Sequence, residues 1–311
     1  MEEHGMKEIQ ILLATYNGVP YLQEQLASLE KQTNQDFTLL VSDDGSTDGT
    51  PELLRRYAAK WPGRLTFAPA PAPFGNARDN FFWLMKNCNA HYLLFCDQDD
   101  VWKQEKIQQT LLCLRELEKG DPSIPVLAFA DLTPVDEQLN PIAPSLMEMQ
   151  HQDASKIDFR RLLFQNIITG CTMGVNKAAV ELALQCACPQ EVIMHDWWLG
   201  LVAAAFGNVG YLDERIMLYR QHGQNSVGAK NVRSLGYILH TMTHWKRVQQ
   251  VTEQKKKQAA VFLATYRERL GPEDILFLSG FAKPHSGLRF FLHHQHLIHG
   301  FWRKIGYLFL G

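Results

Sequence analysis

His91–Trp102 reads HYLLFCDQDDVW. The run His91–Cys96 is short, apolar and aromatic. It stops abruptly at Asp97-Gln98-Asp99-Asp100. An apolar run of this length that ends in a polar turn reads as a strand buried on both faces. Carboxylates at i and i+2 in an extended turn can face one way and share a divalent cation. Oxygen ligands beside bound phosphates suit Mg²⁺ or Mn²⁺. The competing reading is a solvated acidic turn with Asp100 capping the next helix.

Working outward, the same pattern recurs. Glu8–Ala14 (EIQILLA) is a buried strand that ends at Thr15-Tyr16-Asn17. Phe37–Ser42 (FTLLVS) is another, and it ends at Asp43-Asp44-Gly45-Ser46. Helical spacing follows each strand. Leu22, Leu26 and Leu29 mark one helix. Thr50 is expected as N-cap of a second, with Pro51 at its first position. Asn76 to Asn87 carries a third, and Trp102 to Lys119 a fourth. Arg64–Phe67 and Val126–Ala130 complete the strands of this half. Strands separated by helices imply an α/β fold with a mostly parallel sheet flanked by helices. Ligands bind such sheets at the carboxyl ends of the strands, where all three polar clusters lie.

The second half is less regular. Asn166–Val175 (NIITGCTMGV) reads as a glycine-interrupted strand, and Ala178 to Cys186 as a helix. His195 to Phe206 opens with polar residues and continues as a buried helix. Asn208–Leu212 and Ile216–Gln221 read as two short strands. Beyond Gly228 the pattern is helical and basic. The organisation expected is therefore a domain over 1–228 and a helical basic region over 229–311.

Composition removes several classes. The chain has 311 residues, 46% hydrophobic and 21% charged, which are ordinary globular values. A net charge of −2 argues against a nucleic-acid binder by bulk charge. The charge is unevenly placed. From Lys230 to Gly311 there are 13 basic and 4 acidic side chains, a net +9 on an otherwise acidic protein. The six cysteines have no CxxC or zinc spacing, so buried free thiols in a reducing cytosol are expected. The opening MEEHGMKEIQ does not read as a signal peptide, and the longest uncharged apolar run, Trp197 to Leu212, is too short to span a bilayer.

Asp43 or Asp44, on a turn that Gly45 permits, could accept the N3–H of a uracil or thymine ring. A plain turn and helix cap is the alternative, which Asp48 and Thr50 would also serve. Neither GxGxxG nor GxxxxGK[ST] occurs, which argues against a dinucleotide fold and a P-loop enzyme. A metal on Asp97 and Asp99 could hold a nucleotide diphosphate instead.

ILLATYNG, VSDDGSTDGT, FGNARDN and FCDQDD, in this order, resemble a family 2 glycosyltransferase with the GT-A fold, over roughly residues 8–225. DQDDVW, HDWWLGLVAAAFGNVGYLDE and YRQHGQNSVG together are similar to bacterial rhamnosyltransferase-like members. The resemblance implies residue roles. Ala14, Thr15 and Asn17 line the nucleoside pocket. Asp43 or Asp44 contacts the pyrimidine. Arg78 touches the base or diphosphate, on a spacing that departs slightly from the family's. Asp97 meets the ribose or a metal-bound water, and Asp99 ligates the metal. Asp196 stands where inverting members carry the base that takes the acceptor hydroxyl's proton; the alternative is a helix cap. Arg220 suits the diphosphate, and His222 is a candidate third metal ligand or a structural histidine. Asn225, Ser226 and Gly228 could form a loop over the donor.

The implied activity is inverting, metal-dependent transfer from a nucleotide sugar to a saccharide or lipid-linked saccharide, in cell-surface polysaccharide synthesis. The donor expected is dTDP-rhamnose, with a UDP-hexose as alternative. A sugar-phosphate nucleotidyltransferase needs a glycine-rich basic signature at the first strand, which TYNGVPYL lacks. A non-catalytic nucleotide-sugar-binding protein is the other rival. Lys255-Lys256-Lys257 reads as a solvated helix face. Residues 283–304 contain no acid and mix aromatic with basic side chains. Their expected partner is either the inner face of the plasma membrane, from a cytoplasmic protein, or protein, as in a homodimer.

Overall fold

The computed structural model describes residues 7–223, 245–283 and 288–298. Its centre is an eight-stranded sheet. In chain order the strands and helices of the first half are β1 (Lys7–Thr15), α1 (Val19–Glu30), β2 (Thr38–Asp43), α2 (Thr50–Lys60), β3 (Leu65–Phe67), α3 (Ala77–Asn87), β4 (Ala90–Cys96), β5 (Val101–Trp102), α4 (Lys106–Glu118) and β6 (Val126–Val135). Then come α5 (Leu146–Gln150), α6 (Phe159–Phe164), β7 (Gly174–Asn176), α7 (Lys177–Ala183), α8 (His195–Phe206) and β8 (Asn208–Arg220). The sheet order is β3-β2-β1-β4-β7-β6-β8-β5. Strands β3, β2, β1 and β4 are mutually parallel, as are β6 and β8; β7 and β5 run antiparallel to their neighbours.

The apolar runs form strands because both faces are covered. Ile9, Ile11, Leu12 and Leu13 of β1 are all buried, as are Leu93, Leu94 and Phe95 of β4. Helix α1 turns Leu22, Leu26 and Leu29 onto the sheet. Asn76 caps α3 by accepting the Asp79 N–H at 2.9 Å. Asn176 caps α7 in the same way, and its side-chain oxygen also accepts the Val126 N–H.

Register decides where the polar ends fall. In the β1–β2 pair Thr15 lies opposite Asp43, and in the β1–β4 pair Leu13 lies opposite Cys96. The three polar clusters therefore emerge on one edge. At the far side, β5 pairs antiparallel with β8, Val101 opposite Leu218. This pairing carries the acidic turn 97–100 alongside residues 219–222.

Several local expectations are corrected. Thr50 is the first helical residue of α2, and Gly49 is its N-cap. Trp102 belongs to β5, because it pairs with Met217, and helix α4 begins only at Lys106. The stretch 166–175 is mostly turn, with a 3₁₀ segment at Gly170–Thr172 before the short β7. The two short strands expected after Phe206 are one strand, whose register against β6 shifts around Asp131.

Contacts divide the chain into two compact units. The first comprises Met1–Leu146, Ile168–Leu184 and Met194–Gly228 and contains the sheet; the second comprises Met147–Ile167, Gln185–Ile193 and Ala229–Gly311. The second unit thus includes two segments from within the expected 1–228 domain. It contains α9 (Trp245–Tyr266), α10 (Pro272–Phe281) and α11 (Leu288–His293). Its core is aromatic: Phe159 meets Phe262, and Phe164 meets Phe277 and Phe281. The lysine triplet is only partly a solvated face, since of the three only Lys257 is exposed. Lys255 donates to the Phe164 carbonyl at 2.7 Å, and Lys256 is only 4% exposed beside Glu253. Among the described residues, no helix is long and apolar enough to cross a membrane.

Candidate active site

The turn after β1 and the turn after β2 are bonded into one surface. Asp43 accepts from the Thr15 hydroxyl at 2.8 Å and from the Ser46 hydroxyl and N–H at 2.6 and 2.9 Å. Asn17 adopts a left-handed backbone (φ 49°) and accepts the Thr47 N–H at 2.8 Å. Its own N–H donates to Ser46 Oγ. Asp44 is buried and points elsewhere. Its two oxygens accept the N–H groups of Phe74 and Gly75, which fixes the loop before α3. Ala14 is half-buried at the end of β1.

The acidic turn has an inner and an outer side. On the outer side, His222 Nε2 lies 2.7 Å from Asp99 Oδ2, and the imidazole stacks on Tyr21 with ring centroids 4.9 Å apart. A carboxylate oxygen and an imidazole nitrogen that already converge are a mixed donor pair of the kind a borderline divalent ion such as Mn²⁺ accepts more readily than Mg²⁺, which takes oxygen donors. On the inner side, Asp97, Asp100 and Cys171 bring ligand atoms within 4.8 Å of one another. Burial pushes the Cys171 thiol well up. Asp100 is fully buried, too deep to be the solvated helix cap of the competing reading. Burial, then Asp99 and Asp196, push Asp97 up to about 7. Behind the cluster lies Lys106, which is fully buried. Its ammonium donates to the Cys171 carbonyl and sits 3.6 Å from the Trp102 ring centroid. Desolvation lowers it to about 8.

Asp196 is in the first turn of α8, but the N-cap is Met194. Its Oδ1 accepts the Trp197 N–H within that turn, and its Oδ2 accepts the Gly170 N–H at 3.0 Å, from the 3₁₀ segment before β7. The neighbouring His195 is 4% exposed and lies between Phe81 and Phe95, with centroids 4.1 and 5.2 Å away. Among the described residues neither of its ring nitrogens has a hydrogen-bond partner, and burial lowers it to about 3, so it is neutral.

Both arginines expected near the donor already have protein partners. Arg220 is 2% exposed. Its Nε donates to the Asp99 carbonyl at 2.9 Å, its other nitrogens reach the Glu137 carbonyl and the Glu24 carboxylate, and its backbone N–H donates to Asp100 at 3.1 Å. That geometry makes it a brace for the acidic turn rather than a group presented to a diphosphate. Arg78 forms a two-pronged pair with its neighbour Asp79, at 2.8 and 2.9 Å. Asn225, Ser226 and Gly228 lie outside the described residues.

Sequence reasoning passed over Lys106, Cys171, Tyr21 and Gly170. Only Gly170 left a trace, as the glycine interrupting an apolar run.

The chain has clear relatives. Residues 10–180 match the family described as glycosyl transferase family 2. The chain is 30% identical over 226 residues to the dTDP-rhamnosyl transferase RfbG of Shigella flexneri, covering 70% of this chain and 74% of that protein. Among solved structures, S. aureus TarS (residues 1–349) in complex with UDP-GlcNAc superposes with a TM-score of 0.56 at 14% identity, covering 97% of this chain and 90% of that one. The mannosyltransferase PcManGT from Pyrobaculum calidifontis, in complex with GDP-Man and Mn²⁺, gives a TM-score of 0.53 at 16% identity, covering 89% and 74%.

Proposed function

Because this chain belongs to glycosyl transferase family 2, we propose that it moves a sugar, rhamnose from dTDP first among candidates, onto a saccharide or lipid-linked saccharide acceptor with inversion. It is a glycosyltransferase of GT-A fold. The observation that carries the finer reading is that Asp97 lies close enough to feel the charge of both Asp99, which is paired with His222, and Asp196.

In this reading Asp43, with an oxygen pair already ordered by Thr15 and Ser46, accepts the pyrimidine N3–H. Asp44 is buried, whereas Asp43 is only half-buried, and Asp44 shapes the loop instead through the Phe74 and Gly75 N–H groups. Ala14, Thr15 and Asn17 border the nucleoside. Asp99 and His222, with Asp97 beside them, hold a divalent cation. That cation, Mg²⁺ or Mn²⁺, supplies positive charge to the leaving diphosphate when bound. Asp196 takes the proton of the acceptor hydroxyl as that oxygen attacks the anomeric carbon. The Gly170 N–H orients the carboxylate. Arg220 keeps the acidic turn in place.

Lipid-linked acceptors imply work at the inner face of the membrane, and residues 283–304 remain the segment proposed for peripheral contact. Their described part is half engaged. Phe290 packs on Phe277 and Phe281, and Leu297 and Ile298 are buried. Among the described residues of the second unit, Leu292 in this segment and Leu276 and Val251 outside it are exposed apolar side chains, at 41%, 76% and 40%. Residues 284–287 and 299–304 lie outside the described residues.

The test is product release from a panel of dTDP- and UDP-sugars, with and without Mn²⁺. Metal-dependent turnover of dTDP-rhamnose is expected. Turnover confined to UDP-sugars would replace the donor assignment, and none with any donor would return the chain to the non-catalytic rival.

A further inference from the structure

The turn after β1 and the acidic turn after β4 are joined by one side chain. Gln98 Oε1 accepts the Tyr16 N–H at 2.8 Å, and Gln98 Nε2 donates to the Tyr16 carbonyl at 2.9 Å. A primary amide presents one acceptor and one donor side by side, so it can satisfy both polar groups of a single residue, as a neighbouring strand would. The backbone of Gly18 leaves room for this. A Cβ on Gly18 would lie 2.3 Å from Gln98 Oε1 and 2.7 Å from its Cδ.

The contact is part of a longer chain of bonds. Beyond Tyr16, the Asn17 N–H donates to Ser46 Oγ at 2.8 Å, and Ser46 Oγ donates to Asp43 Oδ1. Gln98 is itself flanked by Asp97 and Asp99. A continuous hydrogen-bonded path therefore runs from the acidic turn, through the backbone of 16–17, to the Asp43 carboxylate. Both ends belong to separate strands, β2 and β4, which β1 alone separates in the sheet.

We propose that Gln98 is a positioning residue for the nucleotide: its amide clamps the Tyr16 backbone and thereby sets the spacing between the pyrimidine-facing turn at Asp43 and the cation-facing turn at Asp99. The inference rests on the nucleotide-sugar reading above. A nucleoside diphosphate must meet both turns at once, so its affinity depends on their separation being set in advance. Gln98 touches neither the base nor the phosphates in this account. It acts through Tyr16, and only a side chain with both a donor and an acceptor can do so. Glutamate keeps the acceptor but turns a second oxygen toward the Tyr16 carbonyl.

Four variants of the full chain test the clamp: Gln98→Ala, Gln98→Glu, Gly18→Ala and the double Gln98→Ala/Gly18→Ala substitution. Gly18 has φ −95°, which alanine adopts, so its new methyl group acts by ejecting the Gln98 amide, a flexible end that can move aside. The measurement is isothermal titration of dTDP and of UDP in the presence of Mn²⁺, beside steady-state kinetics and a thermal melt. Gln98→Ala is expected to weaken nucleotide binding about ten-fold, the scale of two partly exposed hydrogen bonds, with KM for the donor rising and kcat nearly constant. Gly18→Ala should do the same. The double variant should be no weaker than either single one, since both remove one interaction. Gln98→Glu should fall with Gln98→Ala. Melting temperatures should stay within about 2 °C of the parent, because the contact is at the surface. Wild-type affinity in Gln98→Ala, or additive losses in the double variant, would overturn the clamp while leaving the donor reading intact. Failure of the unaltered protein to bind either nucleotide would overturn the donor reading, and the clamp with it.

Discussion

The Gly170 N–H donates to Asp196 Oδ2 at 3.0 Å, and the space where a Gly170 side chain would stand is filled by His195 Nε2 at 3.0 Å and Asp196 Cβ at 3.5 Å. The orientation of the carboxylate proposed as base therefore depends on a glycine 26 positions earlier in the chain. Asp196→Asn should leave nucleotide binding near normal and lower kcat by roughly 10²- to 10⁴-fold. Gly170→Ala should leave Asp196 in place but displaced, with kcat down by about ten- to hundred-fold. Equal losses of nucleotide affinity in either variant would make Asp196 a donor ligand.

The Asp99–His222 pair predicts a different failure. Asp99→Asn keeps the shape of the side chain but removes its charge and weakens it as a ligand. The expected result is loss of the Mn²⁺-dependent part of dTDP or UDP binding, read by titration with and without the ion. Affinity unchanged by the substitution would remove Asp99 from the cation site.

Arg220 should behave as a brace. Arg220→Met is expected to destabilise the fold by about 2–3 kcal/mol, because the Asp99 and Glu137 carbonyls and the Glu24 carboxylate lose their donor. Urea unfolding measures it. A fully stable variant with weak donor binding would instead return Arg220 to the diphosphate.

His195 predicts a pH dependence of stability. Burial holds its folded-state value at about 3, below the 6.5 of an unhindered imidazole. The unfolded chain therefore takes up a proton at 6.5 that the folded chain refuses. The stability tied to the neutral ring is complete above that pH and is lost as pH falls toward 3, at about 1.4 kcal/mol per unit. His195→Leu abolishes this titration. Between roughly pH 7 and pH 5 the parent should lose about 2 kcal/mol more than the variant. Parallel loss in both proteins would mean that the ring takes up its proton in the folded state.

Membrane attachment, if it runs through the second unit, should depend on its exposed leucines. Replacing Leu276 and Leu292 with serine should reduce co-sedimentation with anionic vesicles several-fold and leave the melt unchanged, since neither is buried. Equal pelleting by both proteins, or by neither, would count against this surface.

Much of this site was legible along the chain, for a physical reason. A parallel sheet buried on both faces demands continuous apolar strands, and its polar ligand groups can stand only where those strands end. Glu8–Ala14, Phe37–Ser42 and His91–Cys96 thus announced both the layers and the edge on which Thr15, Asp43, Asp97 and Asp99 would gather. The helix carrying Asp196 was equally plain from its apolar length. Tertiary structure alone decided the rest. The antiparallel pairing of β5 with β8 brings His222 to Asp99 across 123 positions, and it sends the Arg220 guanidinium inward. No periodicity encodes that pairing, because β5 is two residues long. The N–H groups that Asp43 and Asp44 each meet are set in the same way, as is the bond from Gly170 to Asp196 on a turn that resembled a strand. Patterns of burial are local properties of a sequence. Hydrogen-bond partners far apart in the chain are set by how the strands are ordered and in what register they pair.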